Sequence, residues 1–168
     1  MSQDLSRTFK IVTLWLVLGA VVFVGVQWWL HRAQQARFQA GSEAIEIRRG
    51  ADGQYHWPGR INGRAVDFLV DTGATHTAVS TALARELGLE VIDSVRSQTA
   101  NGVAKGEAVR ADVDLRGGVS VARLRVTALP GLSDNPLLGM DVLGRLHWSQ
   151  RDGMLRIEAG APGDKLVP

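Results

Sequence analysis

The run Phe68-Leu69-Val70-Asp71-Thr72-Gly73-Ala74-Thr75 constrains this chain more than any other stretch. Its apolar residues, with aromatic and β-branched content, read as the end of a buried strand, and Gly73 marks the turn after it. The strand therefore delivers Asp71 into a tight turn. A carboxylate there is partly desolvated, which costs free energy unless hydrogen-bond donors meet it. Thr72 and Gly73 can supply them: the hydroxyl donates or accepts, and glycine lets a backbone N–H come close to the carboxylate. Read alone, the same tripeptide also suits an Asx-type turn with no chemistry attached.

A second stretch stands apart from the rest. Residues 11–30, IVTLWLVLGAVVFVGVQWWL, carry no charge, and their only polar residues are Thr13 and Gln27. A helix of that length spans roughly 30 Å, the hydrocarbon thickness of a bilayer. Trp28 and Trp29 stand at one end, where amphipathic rings favour the interface. A cleaved signal peptide has a shorter apolar core, roughly 7–15 residues, and a small-x-small site that is not evident after Leu30. The expectation is an uncleaved transmembrane anchor. Arg7 and Lys10 flank it on one side and His31, Arg32 and Arg37 on the other, so charge does not decide its orientation.

The chain has 168 residues, 45% hydrophobic and 21% charged, which suits one globular domain beside the anchor. It contains no cysteine, which excludes disulfides and thiolate chemistry. The net charge of +2 comes from interspersed signs with no basic stripe, so nucleic acid is not an expected partner. His56, His76 and His147 match no metal-ligand spacing; neither metal nor cofactor is expected.

Beyond the anchor, residues 31–42 are good helix formers and predict a polar helical linker ending at Gly41-Ser42. Alternation begins near residue 43. Pro58-Gly59 interrupts one strand, Asn62-Gly63 signals a tight hairpin, and Arg64 to Val70 returns toward Asp71. A short strand at Thr77–Ser80 leads into a helix over Thr81–Leu87, capped by Ser80 or Thr81 and stopped by Gly88. Val91–Ala100 and Glu107–Leu115 form a hairpin whose glycine-flanked tip is Asn101–Gly106. The second arm sets Val109, Ala111, Val113 and Leu115 on one face. A strand over Val119–Leu129, a helix from Met140 or Asp141 to Leu146 and a final hairpin complete the pattern. Residues 159–168 read as a tail, like the short segment 1–10. Many short strands with one or two short helices predict an all-β barrel or sandwich.

Three segments in order, LVDTGAT (Leu69 to Thr75), TANGVAKGE (Thr99 to Glu107) and PLLGMDVLGRL (Pro136 to Leu146), resemble the retropepsin-like aspartic proteases, specifically the bacterial single-lobe, membrane-anchored group. The resemblance covers roughly Ala44 to Glu158 and places the protease domain over residues 43–158. It implies a single-lobe acid-protease β-barrel. By the same resemblance Asp71, Thr72 and Gly73 form the catalytic turn. Ala74, the flap residues Asn101, Gly102 and Val103, and Leu137, Leu138 and Val142 then contact substrate, the last three being either subsite wall or core. Viral relatives place an arginine where this chain has Met140, which puts their mode of dimer stabilisation in doubt here.

Metal-free peptide hydrolysis needs one group to take a proton from water and another to give one to the substrate. Two adjacent carboxylates do both, because they cannot both ionise and therefore share a proton. This chain has one Asp-Thr-Gly. Asp67, Asp134 and Asp141 lack that setting. A twofold homodimer through the Asp71 loop is the expected solution, with an extended peptide as substrate and the bilayer as partner of residues 11–30. The domain is expected outside a bacterial-type inner membrane, with the cytoplasmic side as the alternative. The competing function is a peptide-binding module of the same fold that holds an extended segment by strand addition without cleaving it.

Overall fold

The structure is a computed structural model that describes residues 14–27, 37–39, 44–99 and 102–158. It contains two units, Met1–Gln35 and Ala36–Pro168. In the first, residues 14–27 form helix α1, exposed along its whole length. At about 1.5 Å per residue it measures roughly 21 Å, against a bilayer core of about 30 Å. Among the described residues no helix is long and apolar enough to cross a membrane. The flanks of the expected span, 11–13 and 28–30, lie outside the described residues, as do the expected tails.

The second unit runs β1 (Arg37–Gln39), β2 (Ile45–Arg48), β3 (His56–Ile61), β4 (Arg64–Val70), β5 (Ala78–Ser80), α2 (Thr81–Glu86), β6 (Glu90–Thr99), β7 (Gly102–Leu115), β8 (Val119–Leu129), β9 (Leu137–Leu138), α3 (Met140–Leu143), β10 (Trp148–Arg151) and β11 (Met154–Ile157). Strands β8, β5, β9, β4, β3 and β7 neighbour one another in that order, and β7 pairs again with β8. The ring therefore closes into a small barrel. β1 extends β8, β6 extends β7, and a separate sheet is ordered β10-β11-β2.

Local chemistry explains the main connections. Asn62 and Gly63 both take positive φ, 48° and 84°, the geometry of the two-residue turn whose twist matches paired strands. Asn62 also accepts a hydrogen bond from the Asp112 N–H at 2.8 Å. Pro58 pairs with β4 inside the sheet, opposite Asp67. Having no N–H, it cannot serve the Arg116 carbonyl. The Trp57 indole N–H donates to that carbonyl instead, at 3.0 Å. Ser80 caps α2 by accepting from the Leu83 N–H at 3.1 Å, as its sequence signal predicts.

Trp57, Ile61, Phe68, Val109, Val113, Val121, Val126, Leu138 and Leu143 are fully buried in one core. Each such side chain contributes about 1.5–3 kcal/mol on leaving water. The alternating face of β7 behaves as its sequence predicts: Val109, Ala111, Val113 and Leu115 are buried.

Several expectations are corrected. Arg37–Gln39, placed in a helical linker, is a strand paired with Ala122, Val121 and Ser120 of β8. The edge of β8 offers unpaired backbone groups, and Phe38 packs against the core with the Arg145 guanidinium over its ring. Pairing and burial there override a helix propensity that is only a weak preference. The rest of 31–42 is outside the described residues apart from this strand. In the long hairpin, Thr99 pairs with Gly102, so Gly102 to Gly106, expected in the tip, belong to β7, and residues 100–101 lie outside the described residues. Gly106 is a glycine for clearance: the Ala128 carbonyl of β8 occupies the space a Cβ would need. α3 is shorter than expected, ending at Leu143.

Candidate active site

Asp71 stands where β4 ends. Its N–H donates to the Leu138 carbonyl at 3.0 Å. β9, which carries Leu138, lies between β4 and β5, parallel to the first and antiparallel to the second. The segment 71–77 is thus an arch joining two strands that straddle β9. At its start the Gly73 N–H donates to Asp71 Oδ1 at 2.9 Å, and the Ala74 N–H donates to the Asp71 carbonyl at 3.2 Å. Asp71 is half-buried, and Thr72 and Gly73 are exposed. The carboxylate is held by its own turn while one side of that turn faces solvent.

The far end of the arch is tied to the start of α3. The Ala74 carbonyl accepts from the Met140 N–H at 2.8 Å, and the Thr75 carbonyl from the Asp141 N–H at 3.1 Å. The Thr77 N–H lies 3.0 Å from both Asp141 carboxylate oxygens, and the Thr77 hydroxyl donates to Oδ1 at 2.8 Å. The same hydroxyl accepts from the Gly139 N–H at 3.2 Å. Gly139 admits no side chain, because a Cβ would sit 2.5 Å from the His76 carbonyl carbon.

These contacts place most of the expected residues. Asp71, Thr72, Gly73 and Ala74 share one turn, and Leu137 is half-buried between β4 and β5. Leu138 and Val142 are fully buried in the core cluster. Gly102 and Val103 lie exposed on the β6–β7 hairpin, while Asn101 lies outside the described residues. Asp141 is engaged by Thr77, and Asp67 turns to His56 at 2.9 Å. Asp134 lines a separate open groove of about 420 Å³ with Arg64, Ser80, Leu83 and Glu86. Sequence reasoning missed Thr77 and Asp141. An acid in the first turn of a helix and a threonine opening an apolar strand were the available signals, 64 residues apart.

A second cluster joins Asp52, in the turn before β3, to His56 at the start of β3 and Asp67 of β4. His56 contacts Asp52 through Nε2 at 2.7 Å and Asp67 through Nδ1 at 2.9 Å. The Asp52 hydrogen bond raises the His56 pKa, and His56 in turn lowers that of Asp52. No group of metal-ligating side chains converges among the described residues.

Residues 57–145, more than half of the chain, match the family model described as "gag-polyprotein putative aspartyl protease". The chain belongs to this family. The matched span holds the Asp71 arch and the α3 segment that ties it. A retropepsin-like aspartic protease from Rickettsia conorii has a similar fold, at 22% identity over 73% of this chain and 94% of that one, with a TM-score of 0.54. The simian foamy virus protease matches at 22% identity over 53% of this chain and 91% of its own, with a TM-score of 0.42. An uncharacterised Sinorhizobium protein from the region 5′ to cobV is 28% identical over 114 residues, which span 66% of this chain. The match covers about half of that relative's length, 49%. The fold is retropepsin-like and the family is that of the aspartic proteases.

Proposed function

We propose that the chain is a membrane-anchored aspartic endopeptidase in which Asp71 of two protomers forms the working pair. The observation that carries this reading is the Asp71 turn, whose carboxylate accepts the Gly73 N–H at 2.9 Å while Thr72 and Gly73 remain exposed. One carboxylate cannot act as base and acid in the same encounter. A second copy related by a closed twofold brings identical residues face to face. Their repulsion lets one proton leave readily and holds the other, so the pair is singly protonated in its working form.

The chemistry then follows from proton balance. The ionised carboxylate takes a proton from water, whose oxygen attacks the scissile carbonyl carbon, and the protonated partner gives its proton to the carbonyl oxygen. The tetrahedral diol then returns one hydroxyl proton to the ionised carboxylate as its C–N bond breaks, and the leaving nitrogen takes the proton of the protonated carboxylate, so the pair ends singly protonated. The exposed Thr72 hydroxyl is available to brace the partner's loop. Rate should follow a bell-shaped pH profile whose limbs belong to the pair.

Residues 11–30 supply the bilayer anchor in this reading, with α1 as their described part, and the domain faces the periplasmic side of an inner membrane. Confinement of two protomers to one surface raises their effective concentration. The test is hydrolysis of a diverse peptide library by the purified protein, with Asp71→Asn as control. Cleavage that disappears in the control supports the proposal. Peptide binding without cleavage would identify a binding module instead. A C-terminal reporter active only in the cytoplasm would overturn the orientation.

A further inference from the structure

The arch that carries Asp71 is fixed at both ends by one short piece of chain, Leu138 to Asp141. Leu138 holds the Asp71 N–H, and three residues later the Asp141 carboxylate takes the N–H and hydroxyl of Thr77. Hydrogen-bond directions in this knot are determined. The Thr77 hydroxyl has one proton, which goes to Asp141 Oδ1, and its oxygen accepts from the Gly139 N–H. Thr77 is fully buried and the Asp141 side chain is only 14% exposed. Water therefore competes poorly for these groups, and losing an acceptor leaves a buried donor unmet.

We infer that Asp141 is a positioning residue for Asp71, its carboxylate setting the height and tilt of the arch through Thr77. This rests on the peptidase reading for its kinetic consequence. Its geometric content is independent of that reading. Both oxygens of the Asp141 carboxylate face the Thr77 N–H. In Asp141→Asn the amide nitrogen replaces one of these oxygens and confronts a donor with a donor. The oxygens of Asp141 are turned to Thr77, with Oδ2 also 4.0 Å from His76 Nδ1. The influence of Asp141 reaches the reaction through the placement of Asp71 and hence through the separation of the two carboxylates of the pair. That separation governs how far apart their two protonation steps lie.

The test uses the full-length protein carrying Asp141→Asn, Thr77→Val or Thr77→Ser, each first shown to be folded and to self-associate like the parent. Asp141→Asn and Thr77→Val are expected to lower kcat by roughly tenfold to a hundredfold with little change in KM. They should also move the limbs of the pH–rate profile relative to one another. Thr77→Ser keeps the hydroxyl and should restore both. Amide hydrogen exchange, read by NMR, serves as the arm that needs no turnover. Exchange should accelerate at Thr77 in Asp141→Asn and at Gly139 in Thr77→Val. Unchanged exchange and an unchanged pH profile in folded Asp141→Asn would overturn the inference, as would a fall in rate that leaves the limbs in place. A parent protein without turnover would refute the peptidase reading alone, and the exchange data would still decide the role of Asp141.

Discussion

Replacing Gly139 by alanine is the sharpest steric perturbation of the arch. The added Cβ would lie 2.5 Å from the His76 carbonyl carbon, 2.7 Å from its oxygen and 2.8 Å from the Thr77 nitrogen. Ordinary contact begins at about 3.4 Å, so α3 and the arch must separate by roughly 0.9 Å. All three obstacles are backbone atoms, which cannot rotate away as a side chain would. Forced overpacking of this kind costs about 1–3 kcal/mol. A displacement approaching 1 Å in a group that positions a reacting atom costs up to roughly a hundredfold in rate. Gly139→Ala should therefore lose about 1–3 kcal/mol in urea unfolding and most of its kcat. Parental stability together with parental kcat would refute the claim that this backbone contact positions Asp71.

Other outcomes follow from the same structure. Leu138→Ala removes a fully buried side chain and should cost about 2–5 kcal/mol, measured by denaturant unfolding. Asn62→Ala puts a residue that disfavours positive φ at 48° and removes the acceptor of the Asp112 N–H; a loss of about 1–2 kcal/mol is expected from these two causes. Ser80→Ala removes the cap of α2 and should cost about 0.5–2 kcal/mol. The Asp52–His56–Asp67 cluster predicts a pH window. His56 has a raised pKa in the fold, so its contribution is complete below the ordinary histidine pKa near 6.5 and is lost as pH rises through the folded value. Asp52 has a lowered pKa, so its contribution is present above the ordinary value of 3.8 and is lost as pH falls through the folded one. Stability scanned against pH should show this contribution between those limits, and His56→Gln should remove it.

The sequence made much of this fold readable because the signals were local. Asn62-Gly63 announced a hairpin through its own backbone preference, and the alternation from Val109 to Leu115 matched a half-buried strand. The Asp71 turn and the Pro136–Leu146 segment were visible as motifs. Features set by distant partners were not. Nothing in Arg37-Phe38-Gln39 announces a strand; it forms because the edge of β8 accepts it. β9 has two residues, too few to show any period. Gly106 looked like part of a turn, yet it marks the passage of the Ala128 carbonyl. The tie between Thr77 and Asp141 joins residues 64 positions apart, and no local pattern couples them.

The central claim is that catalysis needs Asp71 from two chains, and mixed oligomers test it most directly. Full-length protein and its Asp71→Asn variant would be allowed to exchange protomers at fixed total concentration, and peptide hydrolysis recorded against the parental fraction. A pair with one carboxylate on each protomer predicts that activity follows the square of that fraction, about one quarter at equal mixing. Activity proportional to the fraction, about one half at equal mixing, would mean that each chain works with its own Asp71 alone and would contradict the account.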